Sequence, residues 1–207
     1  MSIVTMRSKT PSQVRRDLSG FAARYVDDWE TWLAAGKRER PRLFGEVLRR
    51  WQATRPLAMR RLRSEATHRA PFLDDLLERA VDPLRALEGV SVATIAARSA
   101  AQDRALARLW TIFLRLPTSR AASCVGITKA VLLLTDGRVG PALDSQVRMA
   151  LGVDRPTTSR KWIRILEDVG EDIAAFEAAH GALAKHVPKR FAHIRCGRLY
   201  DMVAGPR

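Results

Sequence analysis

A chain of 207 residues that is 46% hydrophobic carries enough apolar material to bury a core, which argues for one domain over 1–207 and against disorder. No apolar run approaches the roughly 18 to 20 residues of a bilayer crossing and no signal-peptide pattern is found, so the sequence reads as cytoplasmic, without a membrane partner. Thirty-six Lys plus Arg against 22 Asp plus Glu leave a net charge of +14, which favours a polyanionic partner, nucleic acid above all.

Hydrophobic periodicity predicts helices nearly throughout and no strand, hence an all-α, two-lobed helical domain. Thr10 and Pro11 form a cap and first turn, after which Val14, Leu18, Ala22, Tyr25, Trp29 and Leu33 recur at helical spacing until Gly36. Pro41 opens a second helix with Leu43, Phe44, Val47, Leu48 and Trp51 on one face. Further helices are expected near 57–66, 71–80 and 83–88, with Asp82-Pro83 resetting the chain. A longer one over 92–116 turns Ile95, Ser99, Leu106, Leu109, Trp110, Phe113 and Leu114 inward. The C-terminal third repeats the pattern around Trp162, Ile165, Leu166 and Val169, then Ile173 and Phe176, then Ile194 to Val203. Aromatic residues at this spacing read as core.

The basic residues cluster. Arg49, Arg50, Arg55, Arg60, Arg61 and Arg63 form one group, Arg155, Arg160, Lys161 and Arg164 a second, and Lys185, Lys189, Arg190, Arg195 and Arg198 a third. Cys124 and Cys196 are too few and too far apart for a disulfide framework or a thiolate metal site, and read as buried thiols. His68, His180, His186 and His193 lack metal-ligand spacing, and no cofactor is expected. Phosphate-cradling glycine loops and nucleophilic serine turns are absent.

One residue stands out. Lys129 opens the apolar run Ala130 to Leu134 in a chain with six lysines against thirty arginines. Its frame reads as a short helix from Ser119 to Cys124, a tight hairpin at Val125-Gly126-Ile127, and Thr128 capping a helix that starts at Lys129. At a helix start beside an apolar wall, the dipole and desolvation both favour the neutral, nucleophilic amine. The competing reading is a lysine that sends its head to solvent or meets a phosphate. After Asp136-Gly137 and Gly140-Pro141 turn the chain, Asp144 precedes the helical run Ser145 to Leu151. It is an N-cap candidate, structural when taken alone; paired with a lysine returned to the same cleft, it could also be a carboxylate facing a developing positive charge.

The stretch VGITKAVLLL followed by GPALDSQVRMALG resembles the helix-hairpin-helix DNA glycosylase superfamily, especially its 8-oxoguanine glycosylase branch. The resemblance covers roughly residues 105–153, with 119–153 as the helix-hairpin-helix-like segment. It implies that Lys129 attacks the sugar C1′ and that Asp144 stabilises the oxocarbenium-like centre. Duplex DNA is the implied partner, contacted by Gly126, Thr128, Arg148, Arg155, Arg160 and Lys161. Where the family hairpin carries two glycines before the lysine, this chain has Gly126 followed by Ile127 and Thr128. The expected function is base excision of a damaged base, such as an oxidised purine, through a glycosylase and AP lyase. The alternatives are a non-catalytic DNA-binding protein of the same fold, or a helical interaction protein in phage or stress defence.

Overall fold

The computed structural model describes residues 3–54, 71–116 and 122–205, and every regular element among them is helical. Thr10 caps α1 (Pro11–Gly20) through a capping box: its hydroxyl accepts from the Gln13 amide, and the Gln13 side chain accepts from the Thr10 amide at 2.7 Å. The single run expected up to Gly36 is in fact two helices, α1 and α2 (Ala23–Ala34), separated by Phe21 in an extended conformation. Periodicity misses such a break because the apolar residues keep their spacing across it. The break buries Phe21 against Arg198.

Helix α3 (Arg40–Arg50) begins next to Pro41 as expected. The predicted helix over 57–66 lies outside the described residues. Helix α4 (Pro71–Ala86) runs through Asp82-Pro83, where two helices were expected. A proline this close to a helix end removes only one late hydrogen bond, and burial of the ring holds the turn together. The helix expected over 92–116 is instead a 3-10 turn (Val92–Ala97) followed by α5 (Ala100–Phe113). Ser99, expected inside, is exposed and closes a capping box with Gln102, while Leu114 is 37% exposed. A capping serine satisfies the first amides of α5 and breaks the preceding helix for the same reason.

Helix α6 (Cys124–Leu134) buries Ile127, Ala130, Val131, Leu132 and Leu133 and packs against α3 and α5. A turn and α7 (Ser145–Leu151) follow. The long α8 (Ser159–His180) carries Trp162, Ile165, Leu166, Val169, Ile173 and Phe176 on its buried face and packs on α5 and the Val92–Ala97 turn. Two 3-10 turns, Leu183–His186 and Lys189–Phe191, lead to α9 (Cys196–Ala204), which contacts α1, α7 and the Val92–Ala97 turn. The buried apolar side chains of these elements join in one core. Cys124 is buried as expected, whereas Cys196 is only half-buried; both are free thiols.

The segment before α1 is pinned to this core by one carboxylate. Asp172 of α8 accepts from the amides of Thr5 (3.2 Å), Met6 (2.6 Å) and Arg7 (3.2 Å), from Arg7 Nε (2.8 Å), and from the Tyr200 hydroxyl (2.7 Å). Ile3 and Met6 are thereby held in the core. Replacing Asp172 by alanine strands several buried donors, each costing about 1–3 kcal/mol, whereas Tyr200→Phe removes a single donor from the network. Urea denaturation should therefore show Asp172→Ala losing at least about 3 kcal/mol and Tyr200→Phe about 1 kcal/mol.

Candidate functional site

The hairpin expected at Val125-Gly126-Ile127 is not formed. These residues are helical, because α6 starts at Cys124 behind Ser123, and Lys129 sits more than a turn inside it. Thr128 is not a cap but a buried side chain, 1% exposed, whose hydroxyl donates to Cys124 O at 2.7 Å and accepts from the Leu143 amide at 2.8 Å. Without glycine on both sides of the expected turn, nothing forces these residues out of the helix that their apolar neighbours favour. The dipole at the start of α6 therefore does not act on Lys129, since that effect fades within the first turn.

Lys129 has a different structural reason. Helix α3 ends in a Schellman turn, with Gln52 N–H on Arg49 O (3.0 Å), Ala53 N–H on Leu48 O (2.8 Å) and Gln52 in the left-handed region at φ 57°. Outside that pattern, the Trp51 carbonyl accepts from Lys129 Nζ at 2.7 Å. The ammonium thus caps the negative end of α3. Gly126, one turn earlier on the same face of α6, is what lets the turn come so close. A Cβ there would stand 3.0 Å from Ala53 O. Gly126 is buried and used in helix docking, so neither it nor Thr128 is placed to touch DNA.

Asp144 is the N-cap of α7 as expected, accepting from the Val147 amide at 3.0 Å. The structure brings it to Lys129: its other oxygen lies 3.8 Å from Nζ, an ion-pair distance longer than the direct bond to Trp51 O. Both side chains line a narrow cleft whose walls include Tyr25, Trp51, Arg198 and Asp201. The Lys129 side chain is 12% exposed and that of Asp144 26%. Burial pushes the Lys129 amine below the ordinary lysine value, Asp144 and then Asp201 oppose this, and Arg198 adds to it.

Arg198 and Asp201 complete the cleft, and the sequence reading assigned neither to it. Arg198, grouped with surface cations, is 3% exposed. Its guanidinium carbon lies 5.0 Å from the centre of the Phe21 ring and 5.1 Å from those of Trp29 and Trp51. It donates to Asp201 Oδ2 and, at 3.1 Å, to the Tyr25 carbonyl. Asp201 Oδ1 accepts from the Ala142 amide at 3.0 Å. The available signal was two opposite charges three residues apart within the apolar stretch LYDMVA and its flanks, the same kind of anomaly that marks Lys129.

The remaining expected DNA contacts stand apart from the cleft lining. Arg155, Arg160 and Lys161 are exposed, whereas Arg148 is half-buried with an enclosed Nε. Burial pushes the Cys124 thiol up, against the pull of the nearby Arg148 and Arg155. Among the described residues no group of His, Cys, Asp and Glu is arranged to hold a metal ion, and no helix is long and apolar enough to cross a membrane. No protein-family model matches the chain, and neither does any curated protein or solved structure.

The amine makes a direct prediction. In reductive methylation followed by peptide mass spectrometry, Lys129 should reach half-maximal labelling below 10.5, the ordinary lysine value. Asp144→Asn should lower that midpoint further, because Asp144 is the foremost group favouring the ammonium.

Proposed function

We propose that this chain is a DNA base-excision enzyme of the glycosylase type, with Lys129 as nucleophile and Asp144 as the assisting carboxylate. The observation that carries the reading is the meeting of a largely buried amine and a carboxylate 3.8 Å apart on the wall of an aromatic-lined cleft. A neutral amine keeps one N–H on the Trp51 carbonyl and leaves its lone pair for attack. Nζ bonds to the sugar C1′ as the bond from C1′ to the base nitrogen breaks. Asp144 faces the positive charge that builds on the sugar, then relays to the departing base the proton that Nζ sheds. Ring opening, with water protonating the ring oxygen, leaves a Schiff base on Lys129.

Exposed cations support a DNA partner. Arg160 and Lys161 lie in the first turn of α8, which holds no acidic residue, so both face the positive end of their own helix. A polyanion relieves that repulsion. Affinity for duplex DNA should fall with salt at a log-log slope of about −0.9 per phosphate neutralised, and Arg160→Ala with Lys161→Ala should flatten it. Binding that ignores salt, or none at all, would remove the nucleic-acid partner.

A second reading, a DNA-binding module without chemistry, is favoured by one observation: the shortest contact of Lys129 is its cap on α3, at 2.7 Å. Borohydride trapping on abasic or 8-oxoguanine duplex separates the two. The enzyme forms a covalent adduct that maps to Lys129 and disappears in Lys129→Gln, while that variant stays folded and still binds DNA. The module forms no adduct.

A further inference from the structure

Two consecutive amides precede Asp144, and each is held by a buried side chain from a different helix. The Leu143 amide donates to the Thr128 hydroxyl at 2.8 Å, and the Ala142 amide donates to Asp201 at 3.0 Å. Thr128 is the residue before Lys129, and Leu143 the residue before Asp144. The Thr128–Leu143 bond therefore sets α6 and the chain entering α7 in the register that places Lys129 opposite Asp144. Thr128 is itself locked, because its hydroxyl donates to Cys124 O at 2.7 Å, which leaves its lone pairs for the Leu143 amide. Asp201 is locked by Arg198. Both holders are buried, Thr128 at 1% and Asp201 at 5% exposure.

We infer that Thr128 and Asp201 are positioning residues of this site, whose hold on the Leu143 and Ala142 amides fixes the Asp144 carboxylate against the Lys129 amine. The inference rests on reading Lys129 and Asp144 as the working pair. Neither residue bonds to the reacting atoms; Thr128 acts through the main chain ahead of Asp144, and Asp201 does so besides setting its charge near the amine. Thr128 alone pins the two working residues directly to one another, since the hydroxyl and the amine sit on adjacent residues of one helix. The Asp201 hold comes from α9 and closes the same loop from the opposite side.

The test is a mutant cycle read on the Lys129 labelling midpoint in the intact protein. Asp144→Asn should lower the midpoint in the wild-type background and equally in Thr128→Ser, which keeps the hydroxyl. In Thr128→Val, with helicity and melting checked, Asp144→Asn should have less than half that effect, because the carboxylate no longer stands in place. An equal effect of Asp144→Asn in all three backgrounds overturns the inference. Should Thr128→Val fail to fold, Thr128→Ala, which removes the hydroxyl without adding a second methyl, takes its place in the cycle. The same loss of coupling supports the inference, and full coupling overturns it. Loss of coupling in a protein that never forms an adduct with damaged DNA leaves the positioning intact and removes the glycosylase reading instead.

Discussion

Four stretches of chain converge on one buried guanidinium. Arg198 reaches the break between α1 and α2 through the ring of Phe21, α2 through the Tyr25 carbonyl and the ring of Trp29, the end of α3 through Trp51, and its own helix through Asp201. Its main-chain amide donates to Gly137 O at 2.9 Å, which fastens the turn after α6. Taking such a cation out of water is costly, so each of these contacts is needed, and removing one member of a buried pair typically costs about 3–5 kcal/mol. The close approach also fixes composition: a Cβ on Gly197 would meet Gly137 O and Gly140 N at 2.7 Å. The cleft is the space left beside this knot, with Arg198 and Asp201 in its wall.

The same burial that makes Lys129 interesting as a nucleophile gives it a structural task. Its bond to the Trp51 carbonyl and the close contact at Gly126 fix the end of α3 on α6, while Trp51 is held from the other side by Asp28 through its indole N–H at 2.9 Å and by stacking on Trp29. Capping and chemistry are compatible because they use different parts of the amine: a donor hydrogen faces the carbonyl and the remaining positions face the cleft. Asp144 likewise combines two contacts, capping α7 with one oxygen and lying 3.8 Å from the amine with the other.

Much of this was legible before any coordinates. Helical periodicity marked the all-α class, Thr10-Pro11 marked the start of α1, and the oddity of a lysine in an apolar run pointed to the cleft. Asp144 was legible as a cap because its chemistry is local. What periodicity could not show were the breaks at Phe21 and Ser99, where a local cap or an extended residue interrupts a pattern that stays in phase. The hairpin at 125–127 was misread because one glycine was taken as a turn, when its missing side chain serves a helix contact with residue 53, far away in sequence. Arg198 was misplaced because charge alone does not reveal burial; only its apolar neighbours Leu199, Tyr200, Met202 and Val203 hinted at it.

The carboxylate of Asp172 bears on how the molecule is made. It receives the amides of residues 5 to 7 across a separation of up to 167 positions, so these residues cannot dock until the chain as far as α8 has been translated. On the ribosome Ile3 and Met6 wait in water while their binding surface is still being polymerised, and contacts this distant in sequence are the slow ones to form. The segment before α1 thus leaves the ribosome well ahead of α8 and finds its place only after it.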